Sequence, residues 1–206
     1  MNMQVNRTRS QFVAVASIAA ELSAVMDVAK EISLAAANAK AIAFRAGEKA
    51  KGFQPITDFI NELAKDTIGL VNDINEHAFD LYRLTVKEHR ISEAFQRFEN
   101  VENLVVGAAY ADSLSLPLNN VQQRLNECRR QFITHVALLL TQLAEVMHPA
   151  RAARVIAANS RIEASQAGEY LQSLQAVAES VDHAAQIIHE KVQKCRSALS
   201  VINVTD

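Results

Sequence analysis

The chain holds many titratable side chains but few arrangements of them that could do chemistry. The six histidines are His77, His89, His135, His148, His183 and His189. A metal or haem held between facing helices needs ligands repeated at i, i+3 or i, i+4, or duplicated Glu-x-x-His pairs. No two of these histidines are so spaced. Glu76-His77 and Glu88-His89 are adjacent, so on a helix each pair points to different faces. Each histidine reads as structural or superficial, with His135 closest to an apolar seam. Cys128 and Cys195 are too few for a disulfide framework and do not form a metal motif. There is no Gly-x-Ser-x-Gly elbow, and neither cysteine has a recognisable base. Gly47-Glu-Lys-Ala-Lys-Gly52 lacks the Lys-Ser/Thr of a phosphate loop. The expectation is a protein without catalytic residues, cofactor or metal, and not an enzyme.

The composition says what elements must carry such a surface. Of 206 residues half are apolar, yet aromatics are only 5%, Trp is absent, Gly is 5 and Pro is 3. Few breakers and abundant Ala describe long helices. A net charge of −2 argues against an electrostatic partner such as nucleic acid or an anionic membrane. Basic residues such as Arg129-Arg130, Arg151 and Arg154 are interleaved with acids and apolar residues, as on solvated helix faces. The cysteine usage and the polar first eleven residues predict a cytoplasmic protein without a signal peptide. Uninterrupted apolar runs such as Val136–Leu140 fall far short of the roughly 20 residues a membrane helix needs, so no membrane insertion is expected.

Apolar residues step by three and four through Phe12, Val15, Ile18, Leu22, Val25, Val28, Ile32, Ala36 and Ala39. This is the seam of a coiled-coil helix. A second seam runs through Ile56, Ile60, Leu63, Thr67, Leu70, Ile74, Ala78 and Leu81, with Pro55 near its start, where it is tolerated. Gly47 and Gly52 lie between the two and supply freedom for a reversal. The second helix is predicted to run to about residue 112, with a turn at Ser113–Asn120. A third seam follows through Val121, Leu125, Cys128, Phe132, Val136, Leu139, Leu143 and Val146. Pro149 is expected to kink or break it, and helix resumes to about Val201.

The chain repeats itself at an offset of 121 residues: positions 36 to 48 hold seven identities, among them Asn38 with Asn159, and Ala46-Gly47-Glu48 with Ala167-Gly168-Glu169. Leu22 falls on Leu143, and Val25-Met26 on Val146-Met147. This predicts a tandem duplication. The stretch from Ile32 through Asn38, Arg45, Ala46, Gly47 and Glu48 to Gly52-Phe53 resembles the hairpin tip of bacterial chemoreceptors, the methyl-accepting chemotaxis proteins. Leu63 and Ala64 also stand on motif positions, and the second copy keeps Asn159, Ile162, Glu163, Ala164, Ala167, Gly168 and Glu169. The resemblance is confined to residues 20–70 and 140–190. Ile42 replaces the family's tip glutamate in the first copy, and Gln166 its tip arginine in the second. Phe59, Asn61, Ser180 and Asp182 replace the Glu and Arg of the descending helix. Ser173 and Leu174 stand where the first copy has Gly52 and Phe53, which predicts a wider, shifted or absent second turn.

The resemblance implies an all-α fold in which long antiparallel helical hairpins form a coiled-coil four-helix bundle. Two tandem hairpins in one chain would imitate a receptor dimer. Residues 10–92 form the first hairpin (tip near 46–53), 93–130 a helical extension, and 131–206 the second hairpin (tip near 167–174), all within a single bundle, 1–206. It implies chemotaxis-type signal transduction or adaptor function. The partner-binding tip residues are then Asn38, Arg45, Gly47, Glu48, Phe53, Asn159, Glu163 and Glu169. Partners would be a chemotaxis histidine kinase, a coupling protein or full-length chemoreceptors, with the chain itself a monomer or a higher oligomer. The alternatives are a structural scaffold that has lost kinase control, and a bundle that senses a small molecule or haem. Arg45 and Glu48 can equally pair with each other, and Phe53 can equally be the first core residue of the second helix.

Overall fold

The computed structural model describes residues 2–105, 107 and 111–203. Four long helices carry almost all of it: α1 (Asn2–Ala46), α2 (Phe53–Leu104), α3 (Ser115–Ala164) and α4 (Leu171–Asn203). No strand occurs among the described residues. At 1.5 Å per residue, the 45 residues of α1 extend about 68 Å. Helices this long are held by side-to-side packing along their length. α1 packs against α2 and α4, and α3 packs against the same two.

The core follows the predicted seams of α1 and α3 closely; in α2 Thr57, Ala64 and Val71 are buried where Ile56, Leu63 and Leu70 were expected, and those three are half-buried beside them. Ile18, Leu22, Val25, Ala29, Ile60, Val71, Ile74 and Leu81 are fully buried with Leu139, Leu143, Val146, Val181, Val192 and Leu199. Burial also repeats at the offset of 121. In α1 and α3 the buried pairs include Val15/Val136, Ile18/Leu139, Leu22/Leu143, Ala36/Ala157 and Ala43/Ala164. In α2 and α4 they include Phe53/Leu174, Ile60/Val181, Ala64/Ala185, Val71/Val192 and Leu81/Ile202. Thr67 and Ile188 occupy equivalent buried positions. The threonine is tolerated because its hydroxyl donates to the Leu63 carbonyl at 2.8 Å, satisfying it within its own helix. Thr85 and Ser160 do the same toward Leu81 and Ile156.

Two expectations are corrected. α2 ends at Leu104, where the Val105 N–H donates to the Val101 carbonyl, and a 3₁₀ turn at Ala111–Leu114 precedes α3. Pro117 is therefore the third residue of α3 and not the turn itself. Its missing N–H is one of the first four, which have no partner inside a helix. Pro149 does not end α3, which runs unbroken from Ser115 to Ala164 with that proline inside and buried. Apolar contact on the inner face outweighs one lost backbone hydrogen bond. Ser10–Ala50 is long and apolar enough to cross a membrane by length and composition, its most apolar 18-residue window having a mean hydropathy of 1.8. Spaced valines and alanines carry that value without long uninterrupted runs. In the fold the apolar stripe Ile18–Leu22–Val25–Ile32 faces the other helices.

Gly69 lies inside α2, exposed, with open space around the position of a Cβ. It weakens the helix without any packing role. Gly69→Ala is expected to stabilise the fold by about 0.5–1 kcal/mol, read as a higher urea midpoint with an unchanged slope.

Candidate functional site

The two tips are built alike. α1 stops because Gly47 adopts φ +58°, and Gly168 adopts φ +59° at the equivalent place. L side chains reach this region only at a cost of roughly 1–2 kcal/mol. Below the second tip, α3 tightens first: Gln166 and Ala167 N–H groups donate to the Glu163 and Ala164 carbonyls at 3.1 and 3.0 Å. A 3₁₀ turn then follows each glycine, at Gly47–Ala50 and Gly168–Tyr170. A second turn is present, so the expectation of continuous helix is overturned, but the turn is shifted as expected: α3 ends at Ala164 and α4 begins at Leu171, each about three residues earlier in the repeat than Ala46 and Phe53. Gly52 does not supply the reversal, since its φ is −68°. It lies in close approach to the other tip: a Cβ there would meet the carboxylate of Glu163, the far end of a flexible side chain that would have to swing aside.

That approach places the tips side by side. Lys49 Nζ lies 3.8 Å from Glu169 Oε1 across them, and Lys51 pairs with Glu48 at 3.3 Å. Arg45 and Glu48 therefore do not pair with each other. Arg45 is exposed and has no ion-pair partner among the described residues. Asn38 and Asn159 are exposed at equivalent places on α1 and α3, and Glu163 is half-buried against Gly52. Phe53 is 1% exposed and belongs to the core, so it faces no partner. It takes the first inward position of α2, as Leu174 does near the start of α4.

The sequence reading passed over the exposed apolar side chains beside the tips. Phe44 is 79% exposed, next to Arg45, and Ile162 is 62% exposed. Leu34, Asn38, Ala41 and Arg45 lie on one outer stripe of α1, and Val155, Asn159 and Ile162 occupy the same stripe of α3 with Gln166 just past its end, all exposed. Their signal was being apolar and off the seam. Phe59 is likewise exposed on α2.

The arms below the tips are clasped at equivalent points. Ser33 Oγ donates to Asn61 Oδ1 at 2.8 Å between α1 and α2. At the offset of 121, Arg154 meets Asp182 at 3.4 Å between α3 and α4, and Arg161 joins it at 2.8 Å. The Arg161 hydrogen bond, opposed by partial burial and aided by both guanidinium charges, holds the Asp182 carboxyl below its ordinary range. A carboxyl whose folded pKa is depressed stabilises the fold above its unfolded pKa of about 3.9. That contribution is lost as pH falls through the folded value. Asp182→Asn is accordingly expected to lower stability at pH 7 and to flatten its decline below about pH 4, measured by urea unfolding across pH.

The remaining chemistry-bearing groups converge on no centre. Burial pushes the Cys195 thiol up to about 12 and raises that of Cys128, so neither is a thiolate near neutral pH. His77 Nδ1 lies 3.0 Å from Gln142 Oε1, between α2 and α3. Among the described residues no three His, Cys, Asp or Glu side chains are placed to hold a metal ion. No family model, curated protein or solved structure matches the chain.

Proposed function

We propose that this chain is a cytoplasmic, non-enzymatic signalling protein of chemoreceptor type. Its two antiparallel hairpins imitate a receptor dimer, and the first of its two paired tips docks a chemotaxis histidine kinase or coupling protein. The observation that carries the reading is the pairing of two like-built tips at one place, with Arg45 and Phe44 exposed beside them. Antiparallel hairpins are supported by pairs that keep a near-constant number sum: Phe12 with Tyr82, Ser33 with Asn61 and Lys40 with Asp58. The repeated burial at 121 residues supports the dimer-like arrangement.

A scaffold without kinase control is the second reading. It is favoured by Asn61 and Asp182, which stand where the resemblance puts partner-facing residues and are instead spent on the clasps within the chain. Titration of the purified protein against purified kinase and coupling protein separates the two. On the first reading the chain binds, and Arg45→Ala with Glu48→Ala weakens binding at least tenfold, since interface anchors cost about 1–2 kcal/mol or more. Gln166→Ala with Glu169→Ala is the matched control and leaves binding within about threefold. Absence of binding, or equal loss in both pairs, leaves the scaffold.

A further inference from the structure

The duplication provides an internal standard for packing, and one place departs from it. Between α1 and α2, far from the tips, lies a groove of about 360 Å³ lined by Phe12, Ala19, Asn75, Ala78, Phe79 and Tyr82 among others. At the offset of 121, Ala19 and Ala78 correspond to Leu140 and Leu199. Leu199 is fully buried and Leu140 packs on the core. The second half thus fills with two leucines the space that the first half leaves open. The rim is reversed as well: Phe79 and Tyr82 correspond to Ser200 and Asn203. The first half therefore has an alanine floor and aromatic walls. Those walls are ordered against one another. The Phe12 and Tyr82 rings meet edge to face at 5.7 Å, and Phe79 stacks beside Tyr82 at 6.4 Å.

We infer that this groove is a binding site for a small planar aromatic molecule carrying a polar substituent. Its volume lies within the range of small-molecule sites, and such sites combine apolar walls with few polar groups. The walls are ring faces and edges, which favour stacked or edge-on aromatic contact. The polar margin is Asn75, half-buried in the lining. At the rim Arg83 holds its guanidinium 4.5 Å above the Phe79 ring and 3.7 Å from the Asp80 carboxylate, a polar edge for the ligand's substituent to meet. This inference does not depend on tip docking.

The probe is 1-anilinonaphthalene-8-sulfonate, followed by fluorescence with indole as competitor. One saturable site per chain is expected, with displacement by indole. Ala19→Leu with Ala78→Leu installs the packing of the second half and is expected to weaken binding at least tenfold. Phe79→Ser installs its rim at a position 54% exposed, where folding does not depend on the ring, and is also expected to weaken binding at least tenfold. Circular dichroism on each variant checks that it is folded. The inference is overturned if the probe shows no saturable site, or if Phe79→Ser binds as tightly as the parent. It is equally overturned if sedimentation shows that Phe79→Ser abolishes self-association of the unliganded chain, which would make the groove a contact between copies.

Discussion

Leu143→Ala is expected to destabilise the protein by about 3–5 kcal/mol, and Leu22→Ala by a similar amount. Both side chains are fully buried in the middle of the bundle. Removing a buried leucine loses its transfer free energy and leaves a cavity that a well-packed core closes only in part. The comparison between the two carries the information. They occupy equivalent positions in the duplicated unit, on α3 and α1, in one shared core. If the halves fold as one cooperative unit, each substitution lowers the same single urea transition. The two losses should then agree within about 1 kcal/mol. Two separate transitions, one sensitive to each substitution, would show instead that the hairpins fold independently.

A second large effect is expected where α2 and α3 pair beyond the main core. Arg129 Nε lies 3.2 Å from Glu88 Oε1, and the Glu88 side chain is only 9% exposed. Just beyond, Ile91, Leu125 and Cys128 form a small separate apolar cluster. Arg129→Ala removes the guanidinium from a carboxylate that stays buried. Breaking such a pair from one side costs about 3 kcal/mol, whereas replacing both members by apolar residues is often neutral or stabilising. Arg129→Ala is thus expected to lower stability by about 2–3 kcal/mol. Arg129→Met with Glu88→Leu should recover most of it. A double variant as unstable as Arg129→Ala would mean that the loss came from apolar packing of the arginine stem.

Much of this fold is legible in the sequence because the elements are long. Over 45 or more residues, apolar steps of three and four in α1, α2 and α3 leave no other period to fit, and the buried residues fall on the predicted seams or, at Thr57, Ala64 and Val71 of α2, one position beside them. The duplication was legible from Asn38 and Asn159 and from the Gly-Glu pairs. The failures are local. Ser113–Asn120 contains residues that favour both turns and helix starts, and only the bonding of the chain shows that the helix begins at Ser115. Pro149 was expected to kink or break the helix; α3 is not broken there, because burial against neighbouring helices outweighs the lost hydrogen bond. Gly52 was read as conformational freedom, because sequence does not show that Glu163 of the other tip will approach it. The candidate site was less legible than the fold. Seam-following assigned Phe53 two roles, of which the core one holds, and passed over Phe44, which lies off the seam and is exposed.

The central claim is that one chain brings its two tips together, and a distance between them tests it most directly. Glu48 and Glu169 are exposed, one on each tip. Spin labels on Glu48→Cys and Glu169→Cys, with Cys128 and Cys195 replaced by Ala, report that distance by pulsed electron resonance in dilute protein. With the tips held adjacent by the packing of α1 against α4 and of α2 against α3, which does not depend on the replaced Glu169, the expected separation is below about 25 Å, allowing for the label arms. If the hairpins instead pointed in opposite directions, arms of some 35–45 residues would separate the labels by about 50–65 Å. A population at that longer distance would contradict the paired tips and the docking function built on them.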